Sequence, residues 1–136
     1  MLRTGLILAF LLLSLTADQF VLITHKNSSI NALSQKEIQD IYLKKRRFYH
    51  SMKLVPLNLP SDHYLRQNFE SETLQMNREQ LQTYWVRQHY LGHRPPHMLK
   101  SIESVLLFVQ EVEGAIGYIP EDRLNEHIKV IYQVKE

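Results

Sequence analysis

Four glycines serve all 136 residues, and two of them fall within Gly114-Ala115-Ile116-Gly117-Tyr118. The residues ahead of this pentapeptide carry apolar side chains at 102, 105, 106, 109 and 112, the spacing of one buried helix face. Gly114 then stands where a helix takes a left-handed C′ residue, a conformation glycine enters without a Cβ penalty. Residues 115–119 read as a short buried strand, and Gly117 within it predicts close approach by another backbone. A helix closed by glycine and leading straight into a buried strand is the joint of an α/β layer fold.

The first 17 residues stand apart from that fold. Arg3 supplies a positive n-region, residues 6–15 are apolar apart from Ser14, and Thr16-Ala17 offers a small residue before Asp18. The apolar stretch is short of the roughly 20 residues a membrane span requires. It reads as a secretory signal peptide, with an uncleaved N-terminal anchor as the other reading. Residues 18–136 are then one domain with one hydrophobic core. The chain has no cysteine, which excludes disulfides, thiolate metal sites and a lipid-modified N-terminal cysteine. An exported domain without disulfides fits a bacterial periplasm, and no stable membrane insertion is expected once the signal is removed. With Arg3 set aside from the 16 Lys and Arg, 15 basic side chains face 14 acidic ones. So even a balance makes no case for nucleic acid or an anionic membrane as partner.

Along the chain, residues 20–24 read as a strand and 27–29 as a loop. Ser34 and Glu37 form a capping box, with Leu33 and Ile38 in the staple positions, for a helix running to about Leu43. Residues 53–58 read as a strand that is short or near an edge, because Pro56 cannot donate to a ladder. Ser61 is the expected N-cap of the next helix, which turns Leu65 and Phe69 to one side. Asn77 and Gln80 repeat the capping pattern for a helix whose inner face holds Leu81, Tyr84, Trp85 and Gln88. Residues 92–96 break it. Ser101 caps the helix before Gly114, and residues 129–134 supply a last strand.

Several residue groups invite a chemical reading. Lys44, Lys45, Arg46 and Arg47, followed by Phe48 and Tyr49, are the densest charge in the chain. They fit a solvated helix end that complements the helix dipole, or contact with an anion or acidic partner. His89, His93 and His97 recur every four residues, but Gly92, Pro95 and Pro96 preclude one regular helix through all three, and no metal site is expected. Ser61-Asp62-His63 has the letters of a catalytic triad. Adjacent helical residues diverge by about 100°, so the three cannot act as nucleophile, base and orienter. No enzymatic constellation and no cofactor are expected. The helix start at Ser61 admits one more reading: unpaired amides, the serine hydroxyl and Arg66 one turn on could receive an anion.

Taken in order, these landmarks resemble phosphate ABC transporter substrate-binding proteins. Residues 27–31 and 33–43 resemble the segment that ends in "IFLGK". Val55-Pro56-Leu57-Asn58-Leu59-Pro60 resembles the strand before the anion loop, and Arg66 and Phe69 the helix after it. Tyr84-Trp85 is similar to the "YW" helix, Gly92 with Pro95-Pro96 to the "G…PP" loop, and residues 114–118 to the "GAIGY" strand. The resemblance covers nearly all of residues 20–134. It implies one lobe, the second, of a type II periplasmic-binding-protein-like fold: α/β, with a mixed, mostly parallel sheet flanked by helices. In that family two lobes close on phosphate, and this chain has length for one.

The differences are concentrated in the loop. The family's Gly-Ser-Gly-Thr is replaced by Ser61-Asp62-His63-Tyr64, and an arginine ahead of it by Leu59. Lys44 takes the place of the glycine in "LGK", and Tyr49-His50-Ser51 that of a tryptophan, aspartate and glycine turn. Two functions are compatible with this pattern. One is a non-enzymatic periplasmic lobe that binds phosphate or another small oxyanion weakly, through Ser61, Asp62, His63 and Arg66. The other is an envelope protein-interaction module, with Lys44, Lys45, Arg46, Arg47 and the loop at 90–97 as contact surfaces.

Overall fold

The computed structural model describes residues 19–134; the expected signal peptide lies outside the described residues. Strand β1 (Phe20–His25) is followed by helix α1 (Gln35–Tyr42) and a two-stranded hairpin, β2 (Phe48–Tyr49) and β3 (Met52–Lys53). Then come β4 (Val55–Asn58), α2 (Tyr64–Phe69) with a π-helical continuation over Glu70–Leu74, and α3 (Arg78–Tyr90). Strand β5 (His97–Met98), α4 (Ile102–Glu111), β6 (Ala115–Pro120), a 3₁₀ turn over Glu121–Arg123 and β7 (Ile128–Gln133) complete the described chain.

The main sheet has the order β5-β4-β6-β1-β7. β4 pairs in parallel with both β5 and β6, whereas β1 is antiparallel to both β6 and β7. Four strands therefore share one direction and β1 alone opposes them, which is the mixed, mostly parallel sheet that the resemblance implies. Residues 20–24 of β1 and 115–119 of β6 are buried on both faces, as central strands covered by helices must be.

The capping boxes at Ser34/Glu37 and Asn77/Gln80 both form, and Ser101 caps α4 by accepting from the Ser104 amide. On α4 the predicted face is the buried one, with Val105, Leu106 and Val109 inside. Gly117 turns towards that helix: a Cβ there would lie 2.5 Å from Val105 Cγ1. Side chains of α4 thus make the close approach, and not a backbone as the sequence suggests. Tyr118, the next residue, points to the opposite face, as strand alternation requires. There it stacks on Phe69 at 4.3 Å between ring centroids and meets Phe20 and Tyr42 edge-on or tilted at 6.3 Å.

One expectation holds and another needs correction. β4 has four residues and lies next to the edge strand β5, so it is short and near an edge as Pro56 predicts, though it begins at Val55 and not at residue 53. The Val55 amide donates to Gly114 O on the β6 side, so by alternation the Pro56 nitrogen faces the β5 side. β5 pairs only with Leu57 and Asn58, so the missing donor lies beyond its end. Gly114 does have positive φ, at 88°, but it is not the C′ residue. Val112 is the C-cap and is already extended, and Gly114 is the third residue of a turn closed by the Ala115 amide on Val112 O. This is the position at which a type II turn requires positive φ.

A Cβ on Gly114 would also collide with the carbonyl oxygen of Lys53, whereas one on Gly92, at φ 83°, would meet open space. Left-handed strain alone costs about 1–2 kcal/mol for an L-residue, and forced overpacking adds about 1–3 kcal/mol. Gly114→Ala is therefore expected to lower the unfolding free energy in urea by clearly more than Gly92→Ala. Equal losses would show that packing against Lys53 contributes nothing.

Candidate functional site

The C-terminal end of β4 is fixed by two buried tyrosines. Tyr42 Oη donates to Leu57 O at 2.8 Å and also lies 3.3 Å from Ile116 O. Tyr118 Oη donates to Asn58 Oδ1 at 2.6 Å and accepts the Leu59 amide at 3.1 Å. Burial raises the pKa of both phenols, because a phenolate would be desolvated in this apolar core. Their role was missed from sequence, although a tyrosine inside an apolar run carries a hydroxyl that has to find a partner.

The loop that follows differs from the expected one. The helix begins at Tyr64, and its N-cap is His63, whose Nδ1 accepts the Leu65 amide at 3.1 Å. Ser61 is not the cap; it lies in a preceding turn closed by the His63 amide on Pro60 O. The imidazole occupies the capping position two residues later, so the serine hydroxyl and the first helical amides do not converge as the sequence reading requires. Ser61 and Asp62 are exposed, His63 half-buried. Arg66 is turned back into the fold, donating from Nη1 to Leu59 O at 3.0 Å and lying 3.4 Å from Glu70 through Nε. Arg78, on α3, donates to Ser61 O and lies 3.9 Å from the other Glu70 oxygen. Glu70, itself buried, therefore gathers both guanidiniums at this end.

A second assembly sits at the opposite, N-terminal end of β4. A cavity of about 240 Å³ is lined there by Lys44, Arg46, Arg47, Lys53, Leu54, Pro56, Gly92, His93 and Arg94. It has no acidic residue in its wall. Arg46 pairs with Glu37 at 2.8 Å and lies over the Tyr49 ring at 5.3 Å. Lys44, Arg47, Lys53 and Arg94 form no ion pair among the described residues. Lys44 has its pKa lowered, first by burial and then by the charges of Arg47 and Lys53. Sequence reading found the run at 44–47 but did not bring Lys53 or Arg94 to it, because the hairpin and the loop after α3 are joined only in three dimensions.

The local backbone explains the convergence. α1 ends in a Schellman motif: the Lys44 amide donates to Ile41 O and the Lys45 amide to Asp40 O, with Lys44 left-handed at φ 61°. α3 ends in the same way: the Gly92 amide donates to His89 O and the His93 amide to Gln88 O, with Gly92 at the left-handed position. Both left-handed residues line the cavity. At Gly92 the conformation is free of strain, whereas at Lys44 it costs about 1–2 kcal/mol. His93 Nδ1 lies 2.7 Å from Gln88 Oε1, which orients the ring. The three histidines themselves are separated, on α3, in the following loop and on β5. No group of three or more metal-ligating side chains occurs among the described residues.

No family model matches the sequence, and no curated protein matches it. Solved structures do. A Clostridium perfringens protein assigned to the phosphate ABC transporter substrate-binding proteins, with bound phosphate, superposes with TM-score 0.70 at 22% identity over 84% of this chain and 44% of its own. An ABC-type phosphate transport receptor from Vibrio cholerae gives 0.68 at 13% identity over 84% and 45%. PstS from Borrelia burgdorferi gives 0.65 at 14% over 84% and 46%. This chain spans less than half the length of these proteins, and what the likeness shows is their fold.

Removing one tyrosine hydroxyl tests whether it secures the loop. Tyr118→Phe leaves the Leu59 amide and the Asn58 side chain without that partner, an expected loss of about 1–3 kcal/mol in urea denaturation. Because the folded pKa is raised, protons are retained by the folded state after the unfolded chain has lost them. Stability is thus complete below the ordinary phenol pKa of about 10 and falls as pH rises beyond it. The fall should be shallower in Tyr118→Phe; an unchanged alkaline limb would refute the assignment.

Proposed function

We propose that the chain is an exported, non-enzymatic lobe of the periplasm that acts through an envelope protein partner and not by capture of a solute in its 61–66 loop. The observation that carries this reading is the internal engagement of that loop. Arg66 is directed to Leu59 O and Glu70, Arg78 to Ser61 O and Glu70, and the Leu65 amide to His63. An anion arriving at Ser61 would meet the exposed Asp62, and the positive charge nearby already faces a buried carboxylate. Breaking such a pair strands a charge, which is costly.

The partner surface in this reading is the C-terminal part of α3 with the loop that follows it. Val86 and Tyr90 stand one turn apart on the helix, and Leu91 follows; they are 60%, 85% and 64% exposed. Large apolar side chains held this far in solvent are what a protein interface covers.

Weak oxyanion binding through Ser61, Asp62, His63 and Arg66 is the second reading, favoured by the phosphate bound in the Clostridium perfringens structure, which shares the fold. Two measurements separate them. A photo-crosslinking residue at Tyr90 should give one identified adduct in periplasm-containing cells, and Val86→Asp should remove it. Ser61→Ala should leave the melting temperature in millimolar phosphate where the wild type has it. Loss of a phosphate-dependent rise in Ser61→Ala, with no adduct at Tyr90, would replace the partner reading with the oxyanion one.

A further inference from the structure

We propose that the cavity between the two Schellman motifs is a binding site for a multivalent phosphate-type oxyanion, distinct from the loop at 61–66. The argument begins with charge. Four cations that lack ion pairs among the described residues, Lys44, Arg47, Lys53 and Arg94, line one cavity of about 240 Å³ together with Arg46 and His93. The C-termini of α1 and α3 end beside them, and each helix end carries roughly half a negative charge. Two half charges offset about one of the four cations. Burial first, and then the charges of Arg47 and Lys53, lower the affinity of Lys44 for its proton.

The second argument is conformational. Lys44 occupies the left-handed position of a motif that glycine fills without strain, as Gly92 does at the equivalent end of α3. Strained non-glycine residues of this kind persist where a side chain is needed. Here the side chain is the half-buried member of the cationic cluster. The third argument is size and geometry. The cavity admits a phosphate or pyrophosphate group and is too small for a folded element. Arg47 and Arg94 provide forked donors, and Lys44 and Lys53 point charges, a combination suited to phosphate oxygens. The run at 44–47, expected to be a solvated helix end or a contact for an anion or acidic partner, is on this reading mostly cavity wall. Lys45 alone among the four is outside the lining.

The group could be a free ion or the headgroup of a lipid, and the same chemistry recognises both. Calorimetric titration with pyrophosphate tests the first source, and co-sedimentation with phosphatidylglycerol vesicles against phosphatidylcholine vesicles the second. Lys44→Gly is the decisive variant, because it relieves strain and cannot fail through misfolding of that turn. It should raise the melting temperature by about 2–6 °C and weaken binding about tenfold or more. Arg47→Gln with Arg94→Gln should weaken it further, and Ser61→Ala should not change it.

Pyrophosphate binding with this pattern supports a free oxyanion. Vesicle binding with the same pattern and no response to pyrophosphate supports the headgroup. Binding abolished by Ser61→Ala and kept in Lys44→Gly overturns the proposal and moves the ligand to the loop. Absence of both binding modes overturns it as well. None of these readouts depends on the Tyr90 adduct, so this site and the partner reading can fail separately.

Discussion

Two phenolic hydroxyls in a mostly apolar core constrain most of what this fold can present to solvent. Tyr42 and Tyr118 are each 1% exposed and lie with Phe20 and Phe69 beneath the C-terminal end of β4. A buried hydroxyl without a partner is destabilising, so each has to find one where the core offers it. The available groups are the backbone of residues 57 and 59 and the Asn58 side chain. Satisfying both hydroxyls fixes where β4 stops and how the chain enters the 59–63 turn. The register of β4 against β6 is tied to the same contacts, since a slip by one residue would turn Asn58 and Leu57 to the wrong faces.

The architecture was readable because its signals are local or periodic. Both capping boxes, the buried face of α4 and the order of the longer strands and helices follow from spacings of three, four or two residues, whereas the two-residue strands β2, β3 and β5 carry no such signal. Pro56 guided correctly to a short strand near an edge, because proline forbids a donor on one side only and the edge strand there, β5, is two residues long and carries no strand signal of its own. Ser61 misled because three potential caps follow one another. His63 takes the role through a ring nitrogen, which serine-centred patterns do not anticipate. Glu70 and Arg78, which close the loop inward, come from a π-helical turn and a later helix. No short-range pattern joins them to Ser61.

The two Schellman motifs show how a fold can carry strain for a purpose. At the end of α3 the left-handed residue is Gly92, at the end of α1 it is Lys44, and the hydrogen bonds are equivalent. The backbone therefore does not require lysine at residue 44. What distinguishes the two positions is the side chain delivered to the shared cavity. Substituting glycine would gain stability and remove a charge, the trade-off by which functional residues depart from the most stable choice.

Net charge conceals this arrangement. The whole chain has a formal charge of only +2, and composition alone makes no case for a polyanion-binding surface. Yet the two ends of one short strand differ sharply. At its C-terminal end Glu70 stands between Arg66 and Arg78, and the guanidiniums complete their bonding on Leu59 and Ser61 carbonyls. At its N-terminal end cations face one another across a cavity with no acidic side chain in its wall. An electrostatic site is defined by charge left uncompensated at short range, where screening over about 8–10 Å has not erased it. By that criterion the end that resembles a phosphate loop is the quieter of the two. The end that holds Lys44 in the left-handed position is the one prepared for an anion.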